Sequence, residues 1–171
     1  AARSQDKLES LAKALPSESL IQAVDLREPD SCEQVVNETI ARFGRLDLLV
    51  NNAGATKRGD FLTLTDDEWQ DGFDLKFYAA MRLSRAAWKH LQAGSGTIIN
   101  IAGVGGKTAS AEFTIGGSVN AALMYLTKAL ADRGVRDGVR VNAINPGSIA
   151  TERLQIRIEK YAKENNIDLA E

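Results

Sequence analysis

Residues Thr97 to Ile101 read TIINI, and Ala102-Gly103 follows at once. The run has no regular polar alternation, so it predicts a strand buried on both faces, as in a parallel sheet. LDLLV (Leu46–Val50) reads the same way, too apolar for a solvated face, and VRVNAI (Val139–Ile144) is a third run of this kind. SLIQAVDL supplies a fourth short apolar strand, ending at Asp25. Helical patterns separate these runs. Cys32, Val35, Val36, Thr39, Ile40 and Phe43 stripe a helix from Asp30 to Phe43, with Gly44 closing it. Thr65-Asp66-Asp67-Glu68 is a capping box that opens a long helix to about Leu91. Further helices are expected over Gln5–Leu15, with Ser4 as N-cap and Pro16 as stop, from about Gly117 to Arg133, and over Thr151–Lys163. Strands centred near Ile21, Leu48, Ile99 and Val141 therefore alternate with helical crossovers. The expected fold is α/β: a doubly wound parallel sheet with helices on both faces, as one domain over residues 1–171. Ligands of such sheets sit at the carboxyl ends of the strands.

Composition narrows the function. The chain has 171 residues, 44% of them hydrophobic and 26% charged, the proportions of a soluble globular domain with a real core. Net charge is −2 and no basic stripe occurs, which argues against a nucleic-acid partner. Cys32 is the one cysteine and His90 the one histidine, so neither a disulfide nor a Cys- or His-based metal site is expected. No apolar run is long enough to span a bilayer, and AARSQDKLES has no signal-peptide core; a cytoplasmic address is the expectation.

Two phosphate-loop patterns fail on inspection. Gly103-Val-Gly-Gly-Lys-Thr108 ends like a P-loop, but Ile101 stands where the leading glycine is needed to wrap a phosphate. Read as GxGxxG, the same stretch has Thr108 in place of the third glycine. The strand ends carry more. Asp25 closes the first visible strand, Asn51-Asn52-Ala53-Gly54 the second and Ile101-Ala102-Gly103 the third. Asn145-Pro-Gly-Ser-Ile-Ala-Thr151 ends the fourth and leads into a helix N-terminus, whose free N–H groups favour phosphate. Four such ends on one edge of one sheet suit a dinucleotide.

LVNNAG, Trp69 followed by FDLK, GTIINIAG, NAALMYLTKALA and VRVNAINPGSIAT together resemble the short-chain dehydrogenase/reductase family, over nearly the whole chain. The resemblance implies hydride transfer between NADP or NAD and an alcohol or carbonyl substrate. It would set Asp25 and Leu26 beside adenine, and Asn52, Ala53 and Gly54 on the adenosine ribose side. Ile101 would back the nicotinamide ribose, with Pro146, Gly147, Ile149 and Thr151 at the nicotinamide and pyrophosphate. Arg3 falls where a basic side chain of this family often meets a 2′-phosphate, which tilts the reading toward NADP; helix-start surface is its other reading. The resemblance also implies dimers or tetramers built from two helices. Ala79, Ala80, Leu83, Ala86 and Ala87 on one, with Ala121, Ala122, Met124, Tyr125 and Ala129 on the other, provide small apolar faces.

The catalytic tetrad implied by the family is replaced throughout. Gly116 stands at the tyrosine, Asn120 at the lysine, Gly103 at the serine and Lys76 at the asparagine. Lys76 and Asn120 read as a reciprocal exchange that keeps an ammonium near the cofactor from the other wall; an outward-snorkelling Lys76 and a helix-capping Asn120 form the alternative. With glycine at position 116, the pocket is expected to be wide and to lack a phenol. Lys76 becomes the candidate proton donor, with Asn120 and the Ser118 hydroxyl beside it, since a desolvated lysine gives up its proton more readily. Two functions stand: a divergent oxidoreductase, or a dinucleotide-binding sensor or partner subunit without redox turnover. Helices at both ends, with no strand outside them, lead us to expect a piece of a longer protein.

Overall fold

The computed structural model describes residues 1–168; Leu169, Ala170 and Glu171, the end of the expected domain span, lie outside the described residues. The elements are α1 (Gln5–Ala14), α2 (Pro29–Phe43), β1 (Leu48–Asn51), α3 (Asp66–Phe73), α4 (Ala79–Ala93), β2 (Thr97–Ile101), α5 (Thr114–Asp137), β3 (Arg140–Ile144) and α6 (Glu152–Asn165). Local chemistry sets several of their ends, although Ser4, the residue before α1, makes no side-chain cap bond. Gly44 takes φ 73° and closes α2, a conformation open to glycine at little cost. The Thr65 hydroxyl accepts from Glu68 N–H while the Glu68 carboxylate accepts from Thr65 N–H, starting α3 with both halves of the capping box. Helix α5 runs longer than its pattern, starting at Thr114 rather than Gly117 and reaching Asp137, because Gly138 at φ 72° supplies the stop.

Among the described residues the sheet is a parallel ladder in the order β1-β2-β3, with Asn51 opposite Asn100 and Ile98 opposite Val141. Both connections cross in the same direction. Right-handed crossovers therefore lay α4 and α5 on one face. Side chains alternate accordingly: Asn51, Ile98, Asn100 and Val141 turn into the protein. The main core joins Leu26, Cys32 and Val36 to Ala79, Leu83, Ala87 and Leu91 of α4 and to Ile98 and Val141. A smaller cluster of Ala80, Ala102 and Leu123 lies near the strand ends.

Two expectations about strands are corrected. The segment near Ile21 forms no ladder strand; its pairing is a single parallel bridge between Ala23 and Ala2. Ala2 N–H donates to Gln22 O and Val24 N–H to Ala2 O, so the segment turns to the N-terminus for its partner instead of to β1. The LDLLV strand also has a solvated face: Leu48 and Val50 are 52% and 50% exposed, because both helices that cross the ladder lie on its other side.

The turn from α5 to β3 tests how closely this frame is packed. A β-carbon at Gly134 would fall 2.0 Å from Val139 O, a backbone atom that cannot swing aside. Gly134→Ala should therefore lower stability by about 1–3 kcal/mol, read as a drop in the urea midpoint with unchanged slope. An unshifted midpoint would show that the turn relaxes freely.

Candidate functional site

The carboxyl ends of the strands are organised by a buried row of amides. Asn51 Nδ2 donates to Asn100 Oδ1 at 2.8 Å and to Ser84 Oγ at 3.2 Å. Asn100 Nδ2 donates to Thr127 Oγ1 at 2.8 Å, and that hydroxyl donates to Leu123 O. Asn100 is fully buried, so its polar atoms need these partners. The row ties β1, β2, α4 and α5 together directly beneath the loops that leave the sheet. Above it, Ala102 N–H donates to Ile144 O, Gly103 N–H to Asn145 Oδ1 and Val104 N–H to Pro146 O, stitching the loop after β2 to the loop after β3.

Lys76 lies in a π-helical stretch, Asp74–Tyr78, wedged between α3 and α4. Such an insertion rotates the helix face locally and is frequent at functional sites. Here it aims the lysine inward. Nζ donates to Ala102 O at 2.7 Å, and the stem crosses Gly54, where an added β-carbon would meet Cδ at 2.9 Å. The outward-snorkelling alternative is excluded by this contact. Asn120, 3% exposed on α5, approaches from the opposite wall: a β-carbon at Gly103 would lie 3.0 Å from its Nδ2. Asn120 caps nothing, since the helix starts at Thr114. Both side chains thus converge on the Ala102–Gly103 peptide. Asn120 Oδ1 is buried without a hydrogen-bond partner among the described residues. Gly103 itself takes φ 149°, a conformation that a serine would rarely adopt.

The expectation of a wide pocket at Gly116 is overturned. The Phe113 ring occupies that space, with two ring carbons 2.1 Å from where a β-carbon on Gly116 would be. The opposite ring edge lies against Gly105, whose β-carbon would be 2.7 Å away. Glycine at position 116 is thus a packing requirement of Phe113. The Arg58 guanidinium covers the same ring, 4.1 Å from its centroid. Neither contact was legible in the sequence: Phe113 carries only its i, i+3 spacing to Gly116, and Arg58 sits in a polar loop without periodicity. Ser118 is exposed on α5, one helical face away from buried Val119 and Asn120.

The other predicted residues divide into two groups. Arg3, Asp25, Leu26, Asn52 and Ala53 line one cleft of about 450 Å³ between the Ala2–Ala23 bridge and β1. Ile101, half-buried, ends β2 beside the Ala102–Gly103 peptide, and Gly54 lies under the Lys76 stem. Pro146 is joined to Val104, Gly147 has open space where a side chain would be, and Ile149 is 58% exposed. Thr151 caps α6 by accepting from Leu154 N–H. A cleft with a paired carboxylate at one end and an unsatisfied amide oxygen in the neighbouring site fits an extended polar cofactor. The Asp25 carboxylate accepts from Arg27 N–H at 3.0 Å and from its guanidinium at 3.2 Å, with Arg3 at 3.9 Å. The Arg27 backbone bond first, and its guanidinium with it, hold Asp25 below the usual carboxylate range. Arg27 also pairs with Asp71, and Arg82 donates to Arg27 O, which links this corner to α3 and α4.

The fold and sequence are matched in known proteins. A profile of the short chain dehydrogenase family matches residues 1–162, and the chain belongs to that family. It is 33% identical over 144 residues to the 2-dehydro-3-deoxy-D-gluconate 5-dehydrogenase of Escherichia coli (strain K12), covering 83% of this chain and 57% of that protein. It is 31% identical over 144 residues to an acetoacetyl-CoA reductase of Shinella zoogloeoides, covering 84% and 60%. The L-sorbose reductase of Gluconobacter frateurii, solved with NADPH and L-sorbose, superposes with a TM-score of 0.88 at 33% identity, over 96% of this chain and 64% of that one. The chain therefore spans less than two thirds of the length of these relatives. Among the described residues no helix is long and apolar enough to cross a membrane.

Asp25 yields a pH prediction. Its carboxyl is lowered in the folded state, so its contribution is present above the ordinary carboxylate range and is lost as pH falls through the lowered value. Asp25→Asn should be less stable than the wild type at neutral pH, and the gap should close as the pH falls through the lowered carboxyl range. Urea midpoints across pH measure it; a gap that persists in acid contradicts the assignment.

Proposed function

We propose that the chain carries the cofactor-binding and reacting region of an NAD(P)-dependent oxidoreductase that interconverts an alcohol and a carbonyl compound. The observation that carries the reading is the inward lysine: Lys76 Nζ donates to Ala102 O at 2.7 Å, at the end of the middle strand of a short chain dehydrogenase domain. Asp25, Leu26, Asn52 and Ala53 would hold the adenosine half, with Ile101, Pro146, Gly147, Ile149 and Thr151 toward the other half. Arg3, exposed at the rim beside Asp25, favours the 2′-phosphorylated form. Bound there, the nicotinamide supplies or accepts the hydride. Reduction also needs a proton at the carbonyl oxygen, and oxidation releases one. Lys76 is the side chain we assign to that proton. The bond to Ala102 O fixes where the ammonium stands, and three N–H donors let it serve more than one acceptor. Close to a developing alkoxide, its charge also lowers the barrier. Asn120, with its unsatisfied oxygen, is positioned to accept from a hydroxyl on the opposite side.

Phe113 over Gly116 supports a second reading, in which the dinucleotide is bound but not turned over, because the ring removes the space for a phenol. Lys76→Met decides between them, since it keeps the stem against Gly54. If the lysine handles the proton, kcat falls roughly 10²–10⁴-fold while NADPH affinity stays nearly unchanged. Wild-type rates in Lys76→Met would refute the lysine role. A wild type that binds NADPH yet oxidises none with a panel of ketones supports the sensor.

Self-association is also part of this reading, with one correction. Ala79, Ala80, Leu83 and Ala87 are buried in the chain's own core, and Ala86 packs against it. The α4 face expected to pair is therefore consumed internally. On α5, Ala121, Tyr125 and Ala129 form an exposed stripe at helical spacing, with Tyr125 80% exposed. We place the contact between copies there. Tyr125→Glu should shift sedimentation from dimer or tetramer toward monomer, and a wild-type monomer at micromolar concentration defeats the idea.

A further inference from the structure

Resting on the oxidoreductase reading, we propose that Asp71 is a positioning residue for the cofactor: it holds the Arg27 fork so that Asp25 keeps one carboxylate oxygen open to the amino group of the adenine. Asp25 lines the cleft with Arg3, Leu26, Asn52 and Ala53, whereas Arg27 and Asp71 stand outside that lining. They act on the cleft through Asp25. A guanidinium carries its N–H donors in a rigid fork that can cover both oxygens of one carboxylate. Here the fork is divided. Nε donates to Asp71 Oδ1 and Nη2 to Asp71 Oδ2 at 3.2 Å, which leaves Nη1 for Asp25. Nη1 donates to Asp25 Oδ1 at 3.2 Å, and the Arg27 backbone N–H donates to the same oxygen at 3.0 Å. Among the described residues Asp25 Oδ2 meets Nη1 at 3.4 Å and Arg3 Nη1 at 3.9 Å, both longer than the bonds to Oδ1. One oxygen of Asp25 is thus fixed, and the other retains acceptor capacity at the cleft.

The backbone around this division is held independently. Arg82 Nη1, on α4, donates to Arg27 O at 3.1 Å, and Glu28 N–H donates to Asp25 O at 3.2 Å. Removing Asp71 would therefore release the guanidinium and leave the turn in place. A released fork can close on both oxygens of Asp25, the paired geometry that arginine and carboxylate favour. Its donors would then compete with the cofactor for Oδ2. Asp71 lies on α3 with its side chain 53% exposed, so its loss takes no core packing with it. Simple charge predicts the opposite outcome. A carboxylate near a phosphate-bearing dinucleotide repels it, so removing one should tighten binding. The two effects differ in sign.

The test is calorimetry of the full chain with NADPH and with its hypoxanthine analogue, in which a carbonyl oxygen replaces the adenine amino group. It requires no turnover. The wild type should bind NADPH about tenfold or more tightly than the analogue, because an acceptor placed for an N–H rejects a ligand that lacks it. In Asp71→Ala, NADPH should bind several-fold more weakly and the preference should fall toward one. The double variant Arg27→Met/Asp71→Ala should show the same preference as Arg27→Met alone, since Asp71 acts through Arg27. Tighter NADPH binding in Asp71→Ala, or a preference that survives there, overturns the proposal and leaves the oxidoreductase reading standing. A wild type that binds both dinucleotides equally does the same. A wild type that binds neither overturns that reading and the proposal with it.

Discussion

Two asparagines facing one another across adjacent strands constrain everything above them. Asn51 and Asn100 are register partners, and both are buried, so a slip of one residue would strand two amides in an apolar interior. Their bonds continue to Ser84 on α4 and Thr127 on α5, so both crossover helices are held at the same height as the strand ends. The row thereby fixes the level at which the chain leaves the sheet. The loops after β1, β2 and β3 start from that level, and the candidate site is made of what they carry.

Once that level is set, the unusual residues complement one another. A lysine in a π-helical turn on one wall and an amide on the other meet at a single peptide, Ala102–Gly103. The glycine at position 116 is equally coupled. It admits the Phe113 ring, and the ring supports the Arg58 guanidinium. What reads as a set of lost groups in the sequence is, in space, a set of packed side chains that meet near the strand ends.

The sequence determined the alternation of apolar strands and amphipathic helices, the capping box at Thr65 and the αL stop at Gly44, because each depends on contacts within a few residues; parallel order followed from the helical crossovers that this alternation requires. The ends of the strands were legible for the same reason. Tertiary structure alone decided the rest. The Ile21 segment has strand composition, but pairing requires a neighbour, and its neighbour is Ala2. Alanines of α4 that read as an interface face are buried by α2 and the sheet, a packing choice that small side chains permit but do not specify. The pocket at Gly116 closed because a ring three residues earlier folds back over it, and Arg58 reached that ring from a different loop. Periodicity and motif spacing report on one element at a time, whereas the filling of space between elements depends on side chains from distant parts of the chain.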